Sequence, residues 1–369
     1  MNKTNFALLM IVIFLISIGL TMVYSASSAF ARDKYGSSYY FFHRQLFWLL
    51  IGSIGLIFAY HLPYSNWKSA SKPLILFSIF LLLLSISPLG HRAGGAKRWI
   101  GFGGFFLQPS EFAKLFFVIY IADFLSRKKV KVKSFFEGLC PPLFMLSVFV
   151  VILLIQPDFG SAALIAVLTF ILFFVGGGSL IYLLSLFFFS LPLAYYLVFN
   201  ISYRRERVMT ILNPYKDPQG SGYQLIQSII AVGSGKIFGK GFGASRQKLF
   251  FLPSSYNDFI FSIIGEELGF IGATIVILLY LVFIILGVRI VLKTKDEFGN
   301  LLALGIVLLI ALQAFIHIGV STGILPTKGL CLPFISYGGS SLVINLTSVG
   351  ILLNIGKNQN KNMDEGILR

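Results

Sequence analysis

Asp258, Glu266 and Glu267 crowd into Ser254-Ser-Tyr-Asn-Asp-Phe-Ile-Phe-Ser-Ile-Ile-Gly-Glu-Glu-Leu-Gly269, at the head of a long apolar stretch. A carboxylate in hydrocarbon costs about 2.5 to 3.5 kcal/mol on insertion scales, so an ionisable group at membrane depth marks a pathway or a reaction centre. Asp258 stands where a basic loop meets the apolar stretch, the place for a general base that works on a charged substrate. Capping the helix is its plain alternative. Glu266 lies about 80° round a helix from Asp258, nearer its face than Glu267. The two Glu read as support, one a buried hydrogen-bonded strut and the other facing polar neighbours.

Few other acids compete with Asp258. Glu111 and Lys114 are spaced i, i+3 in Leu107-Gln-Pro-Ser-Glu-Phe-Ala-Lys114, so they either neutralise one another or line an outward-facing cavity and orient a substrate. Asp158, in Gln156-Pro-Asp-Phe-Gly160, suits a turn or a helix cap. Asp33, Asp123, Glu137, Asp296, Glu297, Asp364 and Glu365 read as solvated groups of loops, helix ends or the tail, while Glu206 and Asp217 belong to the basic loop.

Groups of this kind need a scaffold, and the composition says which. With 56% hydrophobic and 12% charged residues among 369, the chain is far more apolar than a soluble domain with its roughly 25% charged residues. It reads as one all-α polytopic membrane domain, residues 1–369, with ten spans near residues 5–24, 44–62, 73–90, 110–126, 140–156, 159–176, 178–200, 258–292, 300–323 and 338–356. Ser25-Ala-Ser-Ser-Ala29 looks like a signal-peptidase site, but the 18 apolar residues before it exceed an h-region of about 7 to 15, so the first span is expected to stay.

Lys and Arg of short loops orient the spans. With both termini cytoplasmic, inner segments hold 14 cations, among them Arg127, Lys128, Lys129, Lys131, Lys133, Lys357, Lys361 and Arg369; short outer loops hold eight, among them Arg92, Arg98, Lys114 and Lys328. The long outer loop, residues 201–257, holds Arg204, Arg205, Arg207, Lys216, Lys236, Lys240, Arg246 and Lys248, and carries +6. The overall net charge of +16 therefore reads as anionic lipid and a phosphorylated substrate, not nucleic acid. Within the loop, residues 223–232 place Leu225, Ile229 and Val232 on one helical face, with Gln224, Gln227 and Ser228 displaced from it, as a helix lying at the interface would. The glycines of 233–243 lack the strand and spacing of a phosphate-binding loop and read as a tight or flexible turn over a cavity. Cys140 and Cys331 fall on opposite sides, which predicts no disulfide, and the four histidines have no zinc spacing.

Several blocks together resemble the SEDS family (shape, elongation, division and sporulation) over nearly the whole chain. They are Gly95-Ala-Lys-Arg-Trp99, Gln108-Pro-Ser-Glu111 with Lys114, Gln156-Pro-Asp-Phe-Gly160, Asp217-Pro-Gln-Gly-Ser-Gly-Tyr-Gln224, the Asp258 stretch, and Leu325-Pro-Thr-Lys-Gly329 leading to Ser336-Tyr-Gly-Gly-Ser340. Gln247-Lys-Leu249 and the Leu325 block look like the division branch and also like the sporulation one. The resemblance implies a peptidoglycan glycosyltransferase in the bacterial cytoplasmic membrane, at the division septum, that polymerises lipid II on the outer face. It implies partnership with a class B penicillin-binding protein and other divisome membrane proteins. The family's essential Asp falls on Asp258, and its cavity Glu and Lys on Glu111 and Lys114. Asn257, Gly94 and His317 depart from the residues common there.

On this reading Asp258 takes the proton of an acceptor hydroxyl. Arg98, Arg204, Arg207, Lys114 or Lys240, helped by Mg²⁺ or Mn²⁺, neutralise the leaving diphosphate. Asp158, Glu266, Glu267 and Ser336 are assigned to support. A lipid II flippase, a non-catalytic scaffold, and the elongation or sporulation paralogue are the competing readings.

Overall fold

The computed structural model describes residues 2–93, 96–102, 105–127, 134–327 and 329–367. Of the residues named above, Gly94, Gly95, Lys128, Lys129, Lys131, Lys133, Lys328 and Arg369 lie outside them, as do the side chains of Arg92, Lys361, Asp364 and Glu365. In chain order the elements are α1 (Lys3–Tyr35), α2 (Tyr40–His61), a short α3 (Tyr64–Ser69), α4 (Ser71–Ile86), strands β1 (Gly90–Ala93), β2 (Ala96–Phe102) and β3 (Phe105–Leu107), α5 (Pro109–Arg127), α6 (Cys140–Ile155) and α7 (Phe159–Val175). There follow α8 (Leu180–Phe199), α9 (Ser202–Leu212), α10 (Tyr223–Ser234), α11 (Ile260–Lys293), α12 (Glu297–Ser321) and α13 (Gly339–Ile367). Each of the ten expected spans coincides with a helix. Among the described residues, seven helices are long and apolar enough to cross a membrane, while α4 and α7 are shorter apolar helices. The remaining one, α5, carries its charges in ion pairs within the helix.

Burial divides the helices by role. α12 and α13 are mostly buried, and α13 runs along α2 while α1 runs along α11. α8 is apolar all round and exposes Ile181, Phe188 and Phe189, as a helix facing lipid does. Local chemistry sets several ends: α1 stops at Gly36, left-handed at φ 72°, and Asp296 caps α12 by accepting from Gly299 N at 2.8 Å. The three strands form an antiparallel sheet in the order β1-β2-β3 between α4 and α5.

α11 is broken. At Gly269 the backbone leaves helical geometry (φ 68°, ψ −166°), and the 236–241 segment fills the break. Lys240 N and Gly241 N donate to the carbonyls of Glu266 and Glu267 at 3.0 Å, while Phe270 N and Ile271 N donate to Lys236 and Ile237 carbonyls at 2.8 and 3.2 Å. Unpaired backbone at membrane depth is tolerated only when protein satisfies it, and the loop does so here. The close approach requires glycine on both sides, because a Cβ at Gly269 would stand 2.2 Å from Gly239 N.

Two expectations need correction. Asp123 is not solvated: it is 4% exposed, accepts from Ser71 Oγ, and takes both Arg127 Nε and Nη2, at 2.5 and 2.7 Å. The apolar helix packing of α4 against α5 covers it, and the i, i+4 Arg127 supplies the charge that burial demands. α10 does not lie on Leu225, Ile229 and Val232. It buries Leu225, Ile226, Ser228 and Ala231 and leaves Ile229 exposed, because Ser228 Oγ bonds Ser262 Oγ at 2.6 Å and the Ser321 carbonyl at 2.7 Å. A hydroxyl with partners waiting on α11 and α12 outweighs the apolar periodicity.

Candidate active site

Asp258 sits in the turn that leads into α11. The helix starts at Ile260, Phe259 occupies the cap position, and no side chain caps it. The sequence makes Asp258 the opening residue of the helix; in the structure the helix begins two residues later. Asn257 N and Asp258 N both donate to the Ser254 carbonyl, at 3.2 and 3.1 Å, so a turn holds the residue and its carboxylate is not spent on capping. Among the described residues no ion pair or hydrogen bond reaches that carboxylate.

The 329–340 segment fixes the turn from the other side. Ser336 Oγ donates to the Asn257 carbonyl at 2.7 Å and accepts from Leu332 N at 2.8 Å, and Tyr337 N donates to the Tyr256 carbonyl at 3.0 Å. Ser336 is therefore a clip between the two segments. Gly329 lies beside the acid, where an added Cβ would stand 3.3 Å from Asp258 Oδ2. Gln45 of α2 holds the segment in turn, donating to the Ser336 carbonyl at 3.2 Å and accepting from Gly338 N at 3.4 Å. Sequence reasoning missed Gln45, whose one signal is a polar side chain inside an apolar span.

Burial pushes the Asp258 carboxyl up to about 6, against the opposing pull of Arg207 and then Arg98. Desolvation disfavours its charged form more than the two guanidinium groups favour it. A carboxylate near 6 is a better proton acceptor than an ordinary one and is still mostly ionised at neutral pH.

The expected cations divide into two groups. Arg98, Arg204 and Arg207 line a common cavity with Asp158, Phe159, Thr327 and Gly329, about 560 Å³ of empty space open to solvent. Arg98 is aimed by main-chain acceptors: Nε donates to the Gln156 carbonyl at 2.9 Å and Nη2 to the Pro157 carbonyl at 2.5 Å. Arg204 Nη1 donates to the Leu197 carbonyl at 3.0 Å and its guanidinium lies 5.3 Å from the Phe159 ring centre, while Arg207 Nη1 donates to the Thr327 carbonyl at 3.0 Å. These main-chain carbonyls help to aim the three guanidinium groups at the cavity.

Gln156 is a second residue that sequence reasoning passed over, although its motif was noticed. Its Nε2 donates to the Leu82 carbonyl at 2.8 Å and to Ser85 Oγ at 2.9 Å, which anchors the turn that holds Arg98. Asp158 takes the cap role: it accepts from Ser161 N at 3.1 Å and Ser161 Oγ at 2.8 Å at the start of α7.

Lys240 belongs elsewhere. Expected among the diphosphate ligands, it donates to Glu266 Oε1 at 2.6 Å, and Glu266 also accepts from Ser245 Oγ and the amides of Arg246 and Gln247. Glu267 accepts from Lys248 Nζ at 2.8 Å, Ser25 Oγ at 2.7 Å and Gly243 N at 3.1 Å. Both Glu side chains are wholly buried, so both are struts, where only one was expected. The loop that enters the α11 break brings Lys240 and Lys248 to them.

Glu111 and Lys114 also differ from the cavity-lining expectation. They pair at 2.7 Å with 5% and 1% of their side chains exposed. The helix packing around α5 closes over them. They still bear on the same loop as Asp258. The Cys331 thiol is pushed up by burial first, then by Glu111 and Asp258, with Lys114 pulling the other way. His317 Nδ1 is 2.7 Å from the neighbouring Leu330 carbonyl. Cys140 and Cys331 are both free.

A family model described as cell cycle protein, of the FtsW, RodA and SpoVE type, matches residues 6–361. The chain belongs to this family. It is 44% identical over 96% of its length, and 95% of the relative's, to "Probable peptidoglycan glycosyltransferase FtsW" of Geobacter metallireducens. It is 43% identical over 96% of its length, and 98% of the relative's, to "Stage V sporulation protein E" of Bacillus subtilis. Among solved structures, it superposes on a chain of a peptidoglycan synthase complex described as coordinating polymerization and crosslinking, with TM-score 0.78, 29% identity and coverage of 96% of this chain and 98% of that one. It also matches the rod shape determining protein RodA of Thermus thermophilus, with TM-score 0.70, 24% identity and coverage of 95% and 96%. The likeness to RodA shows the fold, that of a polytopic helical membrane protein.

Proposed function

We propose that this FtsW/RodA/SpoVE family member is a peptidoglycan glycosyltransferase that polymerises lipid II at the outer face of the bacterial cytoplasmic membrane, for septal wall synthesis. The observation that carries the reading is Asp258, a carboxylate raised by burial and left without a hydrogen bond among the described residues, beside a cavity lined by three guanidinium groups. The names of the relatives support the reaction class.

The chemistry follows from the arrangement. The 4-hydroxyl of an acceptor sugar gives its proton to Asp258 as its oxygen attacks the anomeric carbon of the donor. General-base catalysis of this kind contributes about 10²- to 10⁴-fold. The bond from that carbon to the diphosphate oxygen breaks, and the electron pair leaves with the polyprenyl diphosphate. Arg98, Arg204 and Arg207 neutralise the charge that develops there. Direct displacement inverts an α-linked donor to a β-linked product. Lys240, Glu266 and Glu267 shape the outer loop, while the Glu111–Lys114 pair sets the field around the segment next to Asp258.

Mg²⁺ or Mn²⁺ remains a proposal for this site. Among the described residues, no three His, Cys, Asp or Glu side chains come together, so such an ion would draw most of its ligands from the lipid diphosphate, as Mg²⁺ commonly does. Asp158, which lines the cavity, is already engaged at Ser161, and Asp258 stands beside its Gly329 wall.

A class B penicillin-binding protein is the proposed crosslinking partner, with other divisome membrane proteins around it and both termini of this chain in the cytoplasm. The likeness to a chain of a synthase complex supports such a pairing. The reaction is tested by following glycan polymerisation from labelled lipid II with the purified chain, with and without that partner. Wild type is expected to form polymer and Asp258→Ala to lose at least about 100-fold in rate. An Asp258→Ala variant that polymerises at the wild-type rate sinks the base assignment.

A further inference from the structure

Glu267 marks a level on the molecule. Between it and Arg289, α11 runs through 21 uncharged residues, 268–288, and between Lys3 and Ser25, α1 runs through 21 more, 4–24. At 1.5 Å per residue each run is about 31 Å long, the thickness of the hydrocarbon core of a bilayer. The two helices agree on the level, because Ser25 Oγ lies 2.7 Å from both carboxylate oxygens of Glu267. On the Asp258 side the hydrocarbon therefore ends at Ser25 and Glu267, and the α11 break at Gly269 lies just inside that edge.

The segment that fills the break carries apolar side chains that the bundle does not cover. Ile237 is 58% exposed, Phe238 82% and Phe242 57%. Hydrogen bonds fix their level: Ile271 N donates to the Ile237 carbonyl at 3.2 Å, and Gly243 N donates to Glu267 Oε2 at 3.1 Å. Ile237 and Phe238 thus stand beside Phe270 and Ile271, themselves exposed, inside the hydrocarbon edge, and Phe242 stands at it. Lys236 and Arg246 are exposed nearby, and Arg246 N donates to Glu266 Oε1 at 3.2 Å, which sets that residue just beyond the edge. Phe250 and Phe251 of the same loop are exposed too, but at another level. The Phe250 ring is 6.5 Å from that of Phe30, which lies roughly 7 Å further along α1 than Ser25.

We propose that residues 236–242 are a lipid anchor: Ile237, Phe238 and Phe242 enter the leaflet on the Asp258 side, and Lys236 and Arg246 meet its phosphates. Apolar side chains inside the hydrocarbon edge, with cations at the headgroups, are what an interfacial segment requires. A contiguous exposed apolar patch needs an occupant, and the level of this one names the lipid. The anchor is continuous with the loop that Glu266 and Glu267 bind through Lys240 and Lys248. The leaflet thereby holds at a set height the loop that leads into the Asp258 turn.

The test places the full chain in nanodiscs of phosphatidylethanolamine and phosphatidylglycerol that include a phospholipid with a diazirine in its acyl chain, and maps the adducts by mass spectrometry after illumination. Residues 237–242 should be labelled as heavily as Phe188 of the lipid-facing α8, and residues 249–251 should stay unlabelled. Phe238→Asp should abolish most of the labelling of 237–242 and raise amide exchange there by about tenfold or more, the loss of one apolar-solvated aromatic side chain. Phe238→Leu, which keeps an apolar side chain, should leave both as in wild type. If the Asp variant does not fold, the wild-type adducts decide alone. Residues 237–242 that escape the lipid probe, and are also shielded from a water-soluble diazirine, would be covered by a second copy of the chain. Residues that escape the lipid probe but react with the soluble one would face water. Either result overturns the anchor, as does equal lipid labelling of 249–251.

Discussion

A pair of acids and a single acid within ten residues of one another are treated in opposite ways. Glu266 and Glu267 are wholly buried and saturated with donors, each holding a lysine of the same outer loop. Asp258 is half-buried, with no hydrogen bond to its carboxylate among the described residues, and burial pushes it up to about 6. A saturated carboxylate is a fastener: each of its lone pairs fixes a piece of the loop, and none remains for a substrate. An unsaturated one keeps its lone pairs for an incoming proton. The comparison also explains why cations of the loop are not equivalent. Lys240 and Lys248 answer the fasteners, whereas Arg98, Arg204 and Arg207 donate to main-chain carbonyls and line the cavity.

The contrast can be broken first at the fasteners. Lys248→Met leaves Glu267 as a buried charge without its counter-ion, and should cost about 3 to 5 kcal/mol, read as a large fall in thermal unfolding temperature in detergent. A change within a degree of wild type would mean that the pair is not the fastener described. Next, Arg207→Gln removes the largest charge that lowers the Asp258 carboxyl and one guanidinium of the cavity. The KM for lipid II should rise roughly tenfold, the loss of one charge-assisted hydrogen bond, and the acid limb of the rate profile should move to higher pH. An unchanged KM would separate Arg207 from the substrate.

The smallest effect is on stability at Asp258 itself. Its folded-state value lies above the ordinary carboxylate value, so its stabilising contribution is full below about pH 3.8 and is lost as pH rises through about 6. At neutral pH the ionised acid therefore destabilises the fold. Asp258→Asn, neutral throughout, should gain on the order of 1 kcal/mol at pH 7.5 once solvent screening is allowed for, while losing polymerisation. A lower unfolding temperature for Asp258→Asn would show that attraction to the arginines outweighs burial.

What the sequence made legible was set by range. Ten apolar segments announce ten helices because hydropathy is a local property, and Asp158 and the Glu111–Lys114 pair act on neighbours three residues away. The Asp258 turn was visible as an acid where a basic loop meets an apolar run. Partners distant in sequence left no such mark. Lys240 looked like any outer cation until the loop threaded into the α11 break and set it against Glu266, 26 residues on. Asp123 looked solvated because its cover, Ser71, lies 52 residues earlier. Ser228 looked displaced from the packed face because apolar periodicity cannot register a hydroxyl whose acceptor is Ser321.

The central claim, that Asp258 is the proton acceptor, is tested most directly by the pH dependence of kcat/KM for lipid II polymerisation by the wild-type chain. The rate should be level at alkaline pH and fall tenfold per unit on the acid side, with an apparent midpoint near the value of about 6 to which burial raises Asp258. A rate that stays level from neutral pH down to about 4.5, well below that value, would contradict the assignment.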